Sequence, residues 1–146
     1  MKELAGEHAE VFSATTAFQD PHRIEARPSL IAKMRRADMV VCSGSELEVG
    51  WLPLLLRSSG NRKVQISQLG YIEASQLVER LGIPKNIDRS MGDVHAAGNP
   101  HVHLVPHRIA QIAETIGERL TKIDPDNAIT YQAQTMRFLE RWQESM

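Results

Sequence analysis

A surplus of positive charge is the first thing this sequence lacks. Its 17 lysines and arginines stand against 18 aspartates and glutamates, a formal net charge of −1. Nothing is left over to neutralise a phosphate backbone, which argues against nucleic acid as a partner. Long apolar runs are missing too. The richest stretch, residues 51–56, is far short of the roughly 20 apolar residues that span a bilayer, so the chain is not expected to be membrane-embedded. The first eight residues lack the apolar core of a secretory signal. The single cysteine, Cys42, excludes an internal disulfide and a zinc site built of several thiolates. Its place in an apolar run makes it a small buried hydrophobe. There is no Gly-rich phosphate loop, no Gly-x-Ser-x-Gly elbow and no His-Glu-x-x-His. No nucleophile or general base stands out, and the chain is not read as an enzyme.

What is present is histidine. Four of the six histidines, His95, His101, His103 and His107, fall within residues 92–107. Glycine and proline punctuate that run, which makes it a loop leading into a helix. Clustered imidazoles on a constrained loop suit a transition metal. His22 and His101 each follow a proline, as Asp20-Pro21-His22 and Asn99-Pro100-His101. Proline narrows the directions in which each ring can point. His101 and His103 would share a face on extended backbone and so could reach one ion. His107, at the start of a helix, reads as a solvated residue, as does His8; His95 is open. Asp20, Glu25 and Asp93 are the carboxylates near these loops, with Asp93 a candidate ligand or histidine orienter.

At 146 residues the chain is long enough for one domain with a real core. The pattern predicts a strand over residues 10–16, a helix over 29–36 capped by Ser29, and a doubly covered strand over 39–42. A helix follows within 46–59, limited by Pro53, then a third strand over 63–67 and a short helix over 73–81. The clearest helix is 107–123, after which Asp124-Pro125 starts another that runs towards Met146. Strands alternating with helices imply an α/β fold: a small, mostly parallel sheet flanked by helices and ending in a long C-terminal helix. Ligands of such sheets bind at loops beyond the carboxyl ends of the strands.

Several of these residues carry a resemblance. Asp20-Pro21-His22, Arg27-Pro28-Ser29, residues 37–41 and Gly44-x-Glu46-Leu47-Glu48 are similar to segments of the periplasmic zinc/manganese solute-binding proteins of metal ABC transporters. Asn99-Pro100-His101-Val102-His103-Leu104 resembles that family's second metal-ligand loop, and Asp124 to Asn127 with Tyr131 the start of the helix joining its two lobes. The resemblance implies a receptor that captures Zn²⁺, or Mn²⁺, and hands it to a membrane permease. It implies a periplasmic location, with His22 and His101 as the first lobe's ligands. Residues 1–123 are then expected to be one α/β lobe lacking its first strand, and 124–146 the beginning of the interlobe helix. The second lobe and its ligands are expected to be absent, with His95 and His103 as possible substitutes. Val105-Pro106 departs from the family's common Asp-Pro at that position. Two histidines do not complete a tetrahedral shell, and an uncovered sheet edge invites pairing, so a homo-oligomer is expected. The alternatives are an orphaned fragment without metal function, stable only as an oligomer, and a metal-dependent hydrolase using His101 and His103. The latter's barrel usually needs about 250 residues.

Overall fold

The structure is a computed structural model that describes residues 1–78 and 105–146. The chain divides into two compact units, Met1–Ser13 with His103–Met146, and Ala14–Val102.

In the second unit, helix α2 (Pro28–Arg36) begins with Arg27 extended before it and Pro28 in its first turn, where proline's missing N–H leaves nothing unpaired. Ser29 therefore lies inside the helix and is not its cap. Leu30 and Met34, four residues apart, turn inwards, while Lys33, Arg35 and Arg36 gather at the end where the helix dipole favours cations. The open carbonyls at that end are met from a distance: Asn61 Nδ2 donates to Met34 O at 2.9 Å and to Ala37 O at 2.7 Å.

Strand β1 (Val40–Cys42) pairs in parallel with β2 (Tyr71–Glu73), Val40 facing Tyr71 and Cys42 facing Glu73. Parallel strands need a crossover, and helix α3 (Leu52–Ser59) supplies it. Pro53 sits in its first turn. Leu52, Leu55, Leu56 and Ser59 form its buried stripe, and Gly60 ends it in the left-handed region at φ 64°. Leu30, Met34, Trp51, Leu55 and Val64 close the core around Cys42.

Two strand expectations are corrected here. Residues 10–16 are irregular, because no described strand lies beside them to complete a ladder. Residues 63–67 alternate in polarity but do not form a strand. Asn61 Oδ1 accepts the Lys63 amide at 3.0 Å and starts a 3-10 turn over Arg62–Val64, and Ser67 adopts a φ of 71°. The strand comes later, at β2, which meets the helix expected over 73–81 only at Glu73; Ala74–Gln76 form a 3-10 turn, and residues 79–81 lie outside the described residues.

The other unit holds α1 (Lys2–Ala5), α4 (Pro106–Ile123) and α5 (Ala128–Glu144). On α4, Ile112, Ala113, Ile116, Gly117 and Leu120 make the buried stripe. Gly117 allows a close helix crossing: a Cβ there would lie 2.3 Å from Thr135 Oγ1 on α5. Asp124 is the expected cap of this last helix, but its side chain accepts no backbone amide there and bonds side chains instead. Its Oδ2 accepts from Tyr131 Oη at 2.6 Å and from Asn127 Nδ2 at 2.9 Å, which ties the α4–α5 turn to the first turns of α5. Burial first, then that bond, pushes the Tyr131 phenol up to about 12. No helix among the described residues is long and apolar enough to cross a membrane.

Candidate metal-binding site

Asp20, Pro21 and His22 form a turn in which one carboxylate oxygen does two jobs. Asp20 Oδ1 accepts the His22 amide at 3.0 Å and lies 2.8 Å from His22 Nδ1. The Arg23 amide closes the turn on Asp20 O at 3.1 Å. These contacts, the His22 amide first, hold the Asp20 carboxyl below its ordinary range. The turn is also fastened to the core. Trp51 Nε1, at the entry to α3, donates to Pro21 O at 2.8 Å, and a Cβ on Gly50 would come within 3.2 Å of His22 O. His22 is thus a half-buried imidazole on a backbone gripped from both sides.

Of the other expected ligands, His95, His101 and His103 lie outside the described residues, as does Asp93. His107 is exposed in the first turn of α4, and His8 is exposed with its ring edge-on to Tyr131. Among the described residues no group of three or more His, Cys, Asp and Glu side chains could hold an ion.

A second feature stands at the carboxyl edge of the sheet, where β1 runs into a loop of three consecutive left-handed residues: Gly44 at φ 81°, Ser45 at 48° and Glu46 at 68°. Such backbone is strained for a side chain and must be held by its surroundings. The buried Glu48 carboxylate accepts from Ser43 N at 2.8 Å and Gly44 N at 3.0 Å. Glu73 Oε1 receives Ser45 N at 3.4 Å, and Ser75 N donates to Ser43 O at 2.9 Å. Two carboxylates therefore brace a loop that composition alone marks only as small and polar. Its sequence signal is Glu48, placed to fold back on the turn after Gly44.

Cys42 is the buried small hydrophobe its apolar run implies. Its Sγ lies 3.4 Å from Tyr71 Oη and 3.5 Å from Ile72 O, and burial pushes the thiol up to about 12. Burial raises the Tyr71 phenol as well. At pH 8 a thiol with that pKa is about 0.01% thiolate, against roughly a quarter for an ordinary cysteine. Alkylation of native protein by iodoacetamide should therefore run at least ~10³-fold slower than in urea. Comparable rates would overturn the buried assignment. The sign of the linkage is fixed: a raised folded pKa means stability held below pH 9.0 is lost as pH climbs towards 12.

Comparison with known proteins adds a family to this geometry. The family model described as zinc-uptake complex component A, periplasmic, matches residues 1–145. A manganese ABC transporter substrate-binding lipoprotein of Streptococcus gordonii is 26% identical over 143 residues, which are 96% of this chain and 43% of that protein. A crystal structure titled ZnuA superimposes with a TM-score of 0.77 at 26% identity, over 98% of this chain and 51% of that one. The Zn(II)-bound ZnuA-like domain of Streptococcus pneumoniae AdcA gives 0.69 at 26%, over 98% of this chain and 47% of the other. The chain thus spans about half the length of the proteins it matches. With one family match running over almost every residue, the chain belongs to the zinc-uptake component A family of metal-transporter solute-binding proteins.

Proposed function

We propose that this chain is a divalent-metal-binding lobe of the solute-binding component of an ABC uptake transporter, taking Zn²⁺, with Mn²⁺ as the alternative cargo. The observation that carries the reading is the Asp20–His22 turn, an imidazole already oriented by a carboxylate and seated on the core. His22 and His101 are the ligands we assign, with His103 and His95 as further donors. Nitrogen-rich ligation favours zinc, and carboxylate donors would shift preference towards manganese. The chain works as a carrier, with no catalytic role, on the periplasmic side of a membrane permease that receives the ion. Residues 1–123 are the lobe, and 124–146 begin the interlobe helix. Self-association is part of the proposal, supported by Ile129 and Met136, which α5 leaves 84% and 62% exposed.

One experiment tests both elements. The purified chain is saturated with zinc, passed through size-exclusion chromatography with multi-angle light scattering, and the peak is assayed for metal. Retained zinc in a peak of twice the 16.4 kDa chain mass or more is expected. A metal-free peak would overturn the binding function, and a monomer the self-association.

A further inference from the structure

We propose that Asp20 is a positioning residue for the metal, fixing the tautomer and direction of the His22 ring before the ion arrives. The proposal rests on His22 being a ligand. An ionised carboxylate only accepts hydrogen bonds, so with Asp20 Oδ1 2.8 Å from His22 Nδ1 the ring must carry its proton on Nδ1. A neutral imidazole has one donor and one acceptor nitrogen, and the acceptor is then Nε2. The metal is met by Nε2.

The geometry makes this more than a passing contact. The same oxygen also holds the His22 amide at 3.0 Å, so the carboxylate cannot leave the ring without breaking a main-chain bond. Pro21 between them restricts the backbone, and Trp51 Nε1 fixes the Pro21 carbonyl at 2.8 Å. Arg23 Nε lies 3.8 Å from the other carboxylate oxygen, Oδ2, so charge on that side is partly balanced without disturbing Oδ1. A carboxylate behind a ligating imidazole also raises its basicity, and loss of such a partner typically weakens metal binding 10–100-fold.

The test compares Asp20→Ala and Asp20→Asn with the parent chain. Asp20 is half exposed, so both variants should keep the parent's circular dichroism. Nitrogen-15 NMR of the metal-free protein at pH 8 reads the His22 tautomer directly. The parent and Asp20→Asn, whose amide oxygen still accepts both bonds, should show the Nδ1–H form, and Asp20→Ala should lose it. Zinc affinity by calorimetry should fall 10–100-fold in Asp20→Ala and less in Asp20→Asn. An Nε2–H parent, or an unchanged tautomer or affinity in Asp20→Ala, overturns the positioning role alone. An unchanged affinity in His22→Ala overturns the ligand assignment and this proposal with it.

Discussion

Zinc affinity should fall about a hundredfold when His22 is replaced by alanine, and binding should vanish when His101 is replaced as well. Structural zinc sites with four ligands are worth about 10–16 kcal/mol at neutral pH, or roughly 3 kcal/mol for each ligand. At about 1.4 kcal/mol per tenfold, one lost imidazole is a factor of around a hundred. The loss should appear in affinity and not in folding. The His22 side chain is 30% exposed, and the bond that holds its turn to the core, Trp51 to Pro21, and the bond that closes the turn, Arg23 to Asp20, use main-chain oxygens that survive the substitution. Calorimetry beside a thermal melt separates the two effects. Parental affinity in the double variant would remove both residues from the site. A melt lowered by more than a few degrees would mean that His22 holds the turn itself.

The largest effect on stability is expected at Gly70, immediately before β2. A Cβ there would stand 2.3 Å from Asp38 O and 2.6 Å from Lys63 O. Both atoms are backbone, so neither can swing aside as a side chain would. Moving Asp38 O pulls on β1, and moving Lys63 O pulls on the 3-10 turn that Asn61 starts. Gly70 O itself receives Val40 N at 2.7 Å, the contact that begins the pairing of the strands. Gly70→Ala should therefore cost about 3 kcal/mol and lower Tm by roughly 10 °C. Gly60 is the control. It has a φ of 64° but nothing within 4 Å of an added Cβ, so alanine there should cost only about 1 kcal/mol. Equal Tm values for the two variants would refute the steric argument.

Much of the fold was legible because several elements declare themselves locally. Pro28 followed by Leu30 and Met34 is a helix start with a buried stripe, and Pro53 can stand only in a first turn. Gly60 is a helix stop, and the apolar repeat from Ile112 to Leu120 admits one period. What escaped depends on partners far along the chain. Residues 10–16 have strand-forming side chains, but a ladder needs a neighbour that nothing in the segment supplies. Tyr71-Ile72-Glu73 buries only its central residue, too short a signal to separate from a helix start, and its strand character comes from pairing with Val40–Cys42. The candidate site divides the same way. His22 is visible from its proline-tied motif. Asp20 looks like an ordinary turn former, and only the folded geometry shows the same oxygen meeting the ring. The bond from Trp51 crosses 30 positions and leaves no local trace.

That indole has an optical consequence. The sequence holds two tryptophans, Trp51 and Trp142. Trp51 is almost wholly buried, whereas Trp142 is half-buried, stacked on Phe138 and bonded to Pro106 O. The Trp51 N–H ends on the carbonyl one residue before His22, so movement of that turn changes the polarity around a shielded chromophore. The turn proposed to present the metal thus has a reporter bonded to it from the entry to α3, out of contact with the solvent that would quench it.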